Sequence, residues 1–383
     1  MQELEITLDQ VLREHRHELP VNIPFDLFRQ ALKDELVGFG PITPLLRSSK
    51  ISEIMINGPH QVYVELGGKL QKTPAVFPSE QALRAAASNI AKSVGRMLNE
   101  DNPRLDARLP DGSRVHAVIP PLCRCGTAIS IRKFKKEKLN VEKLLGFGSL
   151  SPDMHKLIRA MVSLHKNVIV SGGTSSGKTS ILNVLSSFIQ DTERVIVMED
   201  ASELQLQQEH VLYMETRKAD KNGNGEVTIR DLLHSSLRLR PDRVVVGEIR
   251  GGEAIDLLQA LNTGHAGSMS TIHANSPIDA LSRLETCSLM SGLDIPLAAL
   301  RSQVASAIDA VVHTGRLSDG TRKILAISEV LPLKNGEYQM NDLVRWKTRT
   351  IDSERRVIGE FQLVNPPTFI EDAKLENLDL PQY

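Results

Sequence analysis

The stretch from Asn167 to Leu182, NVIVSGGTSSGKTSIL, decides how the rest of the chain is read. Val168, Ile169 and Val170 predict a buried strand; small residues follow, then Lys178, Thr179 and an apolar helical spacing. Strand, glycine loop and helix in that order are what a G-x-x-x-x-G-K-[ST] phosphate-binding element requires. Gly172 and Gly177 reach backbone conformations closed to other residues, so successive N–H groups can turn inward around an anion. Gly173, Thr174, Ser175 and Ser176 complete the loop, and the helix after it, with Ser180 in its first turn, aims the positive end of its dipole at the same point. Lys178 adds a full charge near the β and γ phosphates, and the Thr179 hydroxyl can ligate Mg2+. Residues 172–180 are therefore read as the site for ATP with Mg2+.

The remaining composition is that of an ordinary globular chain long enough for two domains. The formal net charge of −1 over 383 residues gives no overall field for nucleic acid or acidic lipid. No apolar run approaches the roughly 18 residues of a spanning helix, and no signal peptide is read at Met1. A cytoplasmic protein is expected. Cys123 and Cys125 form a C-x-C and Cys287 stands alone. No further ligands at zinc spacing accompany them, so free thiols are expected.

Outward from the phosphate loop the pattern divides. Residues 1–20 predict an N-terminal helical extension. Residues 21–134 mix helices with hairpins turning at Gly67-Gly68 and Asp111-Gly112 and predict a smaller α+β domain. The basic, Gly- and Ser-containing stretch 135–150 predicts a linker. Ser151-Pro152-Asp153 then starts a helix with a cap, a proline at the first position and an acid in the first turn. From there to about residue 345, apolar strands alternate with helices, which predicts an α/β domain whose parallel sheet is covered on both faces. Residues 346–383 predict an irregular tail.

Three later segments supply what a phosphate loop alone lacks. VIVMEDASEL ends a strand with Glu199, Asp200 and Glu203; RVVVGEIRGG ends another with Glu248; TGHAGSMSTIHAN carries His265 and His273. In a parallel sheet the carboxyl ends of strands open onto one crevice. Acids there can hold Mg2+ and position or deprotonate an attacking water. Asp200 and Glu203 as caps, and Glu248 paired to Arg250, are the alternative readings. KADKNGNGEVTIRD imitates a calcium loop but lacks its terminal bidentate Glu.

In combination, KISEIMINGP, RLDARLPDGSRVHAVIPP, ISIRKF, the phosphate loop, MEDASELQLQQ, GEVTIRDLLHSSLRLRPDRVVVGEIRGGEA and TGHAGSMSTIHANSPIDALSRLE resemble the secretion ATPase superfamily, and within it the tight-adherence (Tad/Cpa) pilus ATPases, over roughly residues 35 to 350. The resemblance implies a homohexameric motor with a PAS-like N-terminal domain and a RecA-like, P-loop C-terminal domain. It implies an inner-membrane platform protein as partner, peripheral association with that membrane, and no nucleic acid. It also implies roles. Glu203 activates water with Glu199 nearby, Glu248 is the acid on the Mg2+ side with Thr179, His265 and His273 form a histidine segment, and Arg114 and Arg132 reach the γ phosphate from the N-terminal domain. Ser175 stands where that family usually has Gly. A RecA-like nucleic-acid translocase and a nucleotide-gated scaffold without turnover remain the other classes to separate.

Overall fold

The computed structural model describes residues 2–18, 24–36, 38–134, 139–219 and 223–383, in two compact units, Met1–Glu137 and Lys138–Tyr383. In the first, α1 (Gln2–Glu14), α2 (Phe25–Leu36) and α3 (Thr43–Arg47) precede β1 (Ile51–Asn57), β2 (Val62–Leu66) and β3 (Lys69–Lys72). Helix α4 (Glu80–Ser93) follows, then β4 (Arg104–Arg108), β5 (Arg114–Val118) and β6 (Ala128–Arg132). Pro20, the expected end of the first helix, lies outside the described residues. Ser79 caps α4 by accepting a hydrogen bond from Ala82 N, which satisfies an otherwise orphaned amide.

The six strands form one antiparallel sheet in the order β3-β2-β1-β6-β5-β4. Period-two alternation sends Ile54, Ile56, Val115, Ala117, Ile129 and Ile131 to one face, where Leu83, Ala87 and Ile90 of α4 cover them. The other face carries polar residues: Arg114 lies directly across from Arg132, and Arg132 across from Glu53, with 4.0 Å between guanidinium and carboxylate.

The second unit holds α5 (Val141–Gly146), α6 (Pro152–Ser163), β7 (Val168–Gly172), α7 (Lys178–Ser186), β8 (Val195–Glu199) and β9 (Val211–Glu215). Next come α8 (Ile229–Ser236), β10 (Arg243–Ile249), α9 (Glu253–Asn262), β11 (Met269–His273), α10 (Pro277–Leu289) and α11 (Leu297–Ala307). The chain ends with β12 (Ala310–Arg316), β13 (Arg322–Lys334), β14 (Glu337–Ile351), β15 (Val357–Leu363) and α12 (Ile370–Leu375). The nine strands order as β15-β14-β13-β12-β7-β11-β10-β8-β9. From β12 to β9 neighbours are parallel; from β12 outward to β15 they are antiparallel.

Both faces are covered. Val168, Val170, Val195, Val197 and Val245 pack on the side of α6 and α7; Ile169, Ile196, Met198, Val244 and Val246 pack on the side of α8 to α11. That explains the unbroken apolar runs of these strands. A mixed α/β architecture with a large, partly parallel sheet is what the sequence led us to expect.

Two expectations are corrected. Residues 346–383 are not an irregular tail: β14 runs on to Ile351, β15 pairs with it, and Phe369 and Ala373 are buried in the core beside α6 and α7. Their pattern misled because β14 is half-exposed and polar along most of its length. Nor is 135–150 a plain linker. Asn140 caps α5, and Leu144 and Leu150 are buried in the core of the second unit. Helix α11 had no expectation at all. Among the described residues no helix is long and apolar enough to cross a membrane.

Candidate functional site

Strand β7 delivers the chain into the phosphate loop between β11 and β12, at the centre of the sheet. Gly172 has φ +155, and a Cβ there would come within 2.4 Å of both the carbonyl and the hydroxyl oxygen of Thr314. Only glycine fits. Ser175 holds φ +57, a left-handed conformation that costs a non-glycine residue roughly 1 kcal/mol. Ser176 Oγ bonds the Gly173 carbonyl at 2.9 Å and Thr314 Oγ1 at 2.8 Å, and Gly177 ends the loop as the N-cap of α7. Lys178 is buried, its Nζ donating to the carbonyls of Gly172 (3.2 Å) and Gly173 (3.0 Å) and standing 3.4 Å from the His273 ring.

The acids arrive from strand ends. Thr179 Oγ1 donates to Glu203 Oε2 at 3.4 Å. Glu199, only 5% exposed, is turned the other way, accepting the amides of Glu203 (2.9 Å) and Leu204 (3.0 Å). Gly247 of β10 admits it, since a Cβ there would lie 2.8 Å from Glu199 Cγ. Glu199 therefore holds the backbone of Glu203 in place, and Glu203 is the acid presented to the loop. Glu248 sits beside His273, with His273 Nε2 2.7 Å from its Oε1. That buried oxygen nonetheless has no aligned hydrogen-bond donor in the structure. Its other oxygen accepts Arg250 Nε at 2.8 Å, and Arg250 lies 3.5 Å from Asp200. Burial first, then the Lys178 charge, lowers the His273 pKa below the ordinary imidazole value, against the pull of Glu248.

Within the second unit His265 stands apart from this group. His265 precedes β11, whereas His273 ends it beside Gly172. The strand between them spans about 13 Å at the usual rise, so His265 lies at the far end of the sheet, where its ring contacts the Ala260 carbonyl. Within the second unit His265 is therefore not beside the phosphate loop. Arg114 and Arg132 belong to the first unit, paired across its sheet as described. Cys123 and Cys125 are free, as expected, with their sulfurs 3.1 Å apart. Part of the calcium-like loop lies outside the described residues.

Sequence reading missed the wall formed by β12 and β13. Thr314 Oγ1 donates to the Ser171 carbonyl (3.0 Å), His313 Nδ1 meets Ser171 Oγ at 2.9 Å, and Arg322 Nε donates to the Ser175 carbonyl at 2.7 Å. These residues lie some 140 positions downstream, and no local signal marks them.

Burial lowers the His313 pKa, and Asp279 offsets this only in part. A depressed imidazole contributes stability that is complete above its unfolded value of about 6.5 and is lost as pH falls below that toward its folded pKa. His313→Gln is accordingly expected to flatten the decline in stability of the parent protein between about pH 6.5 and pH 5. Unfolding followed by the single tryptophan, Trp346 of β14, checks this. Equal slopes for both proteins would remove His313 as the cause.

The chemistry of the donor set fits a hydrated divalent cation beside a phosphate. A hydroxyl on the first turn after the loop and two carboxylates, one with an unsatisfied buried oxygen, are hard oxygen donors of that kind.

A family model described as type II/IV secretion system protein matches residues 35–349. The chain belongs to that family. Within this secretion family it is 35% identical over 323 residues to a putative conjugal transfer protein of Mycobacterium tuberculosis, covering 83% of this chain and 90% of that one. It is 34% identical over 300 residues to the type IV secretion system protein PtlH of Bordetella pertussis, covering 71% and 88%. The solved structure of the ATPase DotB of Legionella pneumophila superposes with a TM-score of 0.54 at 18% identity, over 80% of each chain, which shows likeness of fold.

Proposed function

We propose that this secretion-family protein is a Mg2+-dependent ATPase motor, RecA-like in its second unit and PAS-like in its first. In this reading it works as a homohexamer on the cytoplasmic side of an inner membrane, driving pilus assembly of the tight-adherence kind or secretion through a platform protein. The observation that carries the ATPase reading is the convergence of Glu203, Glu248 and His273, from three separate stretches of chain, on the phosphate loop and Thr179.

In the proposed reaction the loop amides, Lys178 and the α7 dipole hold the β and γ phosphates. Mg2+, when bound, supplies positive charge to the phosphate oxygens, with Thr179 and Glu248 as its protein partners. Glu203, fixed through Glu199, orients the attacking water and takes its proton. His273, between Lys178 and Glu248, ties the loop to the β10 acid. Arg114 and Arg132 are the candidates for stabilising charge on the transferred phosphoryl group from the first unit. The partner and the pilus role rest on the family and on the resemblance of the motifs.

Purified protein should hydrolyse ATP in Mg2+ and stop when the ion is chelated, with activity returning on adding it back. Phosphate release unaffected by chelation would rule out the metal-dependent reading. Salt-sensitive binding of single-stranded DNA that stimulates turnover would instead favour a nucleic-acid translocase.

A further inference from the structure

Ser175 is the single non-glycine residue held at positive φ within the loop 172–177. A serine relaxes out of that region unless its surroundings fix it. Within the loop a single long hydrogen bond spans Ser175, from the Ser176 amide to the Gly173 carbonyl at 3.4 Å, while Ser176 Oγ and Lys178 Nζ bind the carbonyls of Gly172 and Gly173, not that of Ser175. The Ser175 carbonyl is taken by Arg322 Nε at 2.7 Å.

Arg322 is well placed to hold it. It opens β13 directly across from Arg316 of β12, so its backbone is fixed by the strand ladder. Its own carbonyl accepts Ser149 Oγ at 2.6 Å, which adds an anchor from the turn before α6. The side chain is half-buried and passes Gly177, its Cδ 3.7 Å from where a Cβ on that glycine would stand. A guanidinium bonded to a carbonyl is a charge-assisted bond, stronger than a neutral one. It therefore opposes the rotation of the peptide between Ser175 and Ser176 that would re-aim the Ser176 N–H.

We propose that Arg322 is a positioning residue for nucleotide, acting through Ser175: it pins the loop in its phosphate-binding form and so sets affinity rather than the rate of the chemical step. The inference rests on the nucleotide reading above. It also accounts for how a serine serves at a position of the loop where the backbone favours glycine.

The test measures the Kd for a fluorescent ATP analogue, and kcat and KM for Mg-ATP, on the full chain. The proteins are the parent, Arg322→Met, Arg322→Lys and Ser175→Gly, and Ser175→Gly combined in turn with Arg322→Met and with Arg322→Lys. Arg322→Met should weaken binding and raise KM about tenfold, with kcat within about twofold. Arg322→Lys should recover part of the loss. With glycine at 175 the left-handed conformation no longer needs a clamp, so Arg322→Met should then weaken binding only about twofold.

Unchanged affinity in Arg322→Met would overturn the inference, as would the same tenfold loss in both backgrounds, because Arg322 would then act on nucleotide without Ser175. A fall in kcat at constant KM overturns it too. Should Arg322→Met unfold, as read by Trp346 emission, Arg322→Lys decides in its place: weaker binding with serine at 175 but not with glycine upholds the inference, and equal affinities overturn it. A parent protein that binds no ATP refutes this inference and the nucleotide reading together; a parent that binds while Arg322→Met matches it refutes this inference alone.

Discussion

Glu248→Gln is expected to bind ATP as the parent does and to hydrolyse it at least about a hundredfold more slowly, the usual scale for losing a group that stabilises charge developing in the transition state. Lys178→Ala should fail earlier, with affinity for ATP weakened by about a hundredfold or more through loss of a buried charged donor. The contrast follows from position. Lys178 spans the loop itself, bonded to the carbonyls of Gly172 and Gly173. Glu248 stands behind it, its one oxygen held by Arg250 and its other buried without an aligned donor. An amide at 248 keeps the shape and removes the charge, so ground-state binding survives while charge compensation during transfer does not. Equilibrium binding and steady-state phosphate release on the same preparations separate the two. Parental turnover in Glu248→Gln would refute the assignment of this acid.

Arg243→Met should lower the stability of the second unit by about 3–5 kcal/mol, the cost of leaving one half of a buried ion pair alone. For a unit of this size the thermal midpoint would fall by about 8–15 °C. Arg243 opens β10 and is fully buried, with Nε 2.6 Å and Nη2 2.9 Å from the Glu193 carboxylate. Its remaining donor bonds the carbonyls of Val162 and Gly267. Burial by itself would raise the Glu193 pKa, but the hydrogen bonds and charge of Arg243 outweigh it and hold the carboxyl below its usual range. Arg243→Met thus strands a carboxylate in the interior. Adding Glu193→Leu removes that stranded charge, and the double variant should recover part of the loss. Trp346 lies in the affected unit, so its emission reports this transition separately from the first unit. An unaltered midpoint in Arg243→Met would contradict the account.

What could be read in advance was local. Ser151 announced its helix because a cap, a proline and an acid act within one turn. The apolar runs of β7, β8 and β10 announced buried strands, and Glu203 and Glu248 were found because acids following such runs must emerge at the sheet's carboxyl edge. The distinction between Glu199 and Glu203 was not legible, since it depends on which carboxylate meets backbone amides four and five residues on. That His265 and His273 lie at opposite ends of β11 follows from their flanking one strand. The sheet beyond residue 346 escaped notice because the half-exposed end of β14 carries lysine, arginine and threonine where β7 carries valine. Arg322 and Thr314 touch the loop only through tertiary structure.

The seat of β7 between β11 and β12 has a bearing on biosynthesis. A nascent chain halted near residue 309 already carries the phosphate loop, both acids and both histidines, yet lacks the strand that walls the loop and the Phe369 segment that closes the core on that side. Such a product keeps the sequence signatures while exposing an unpaired edge at β7, the kind of surface on which incomplete chains aggregate. Synthesis must therefore pass the Phe369 segment before the second unit can close.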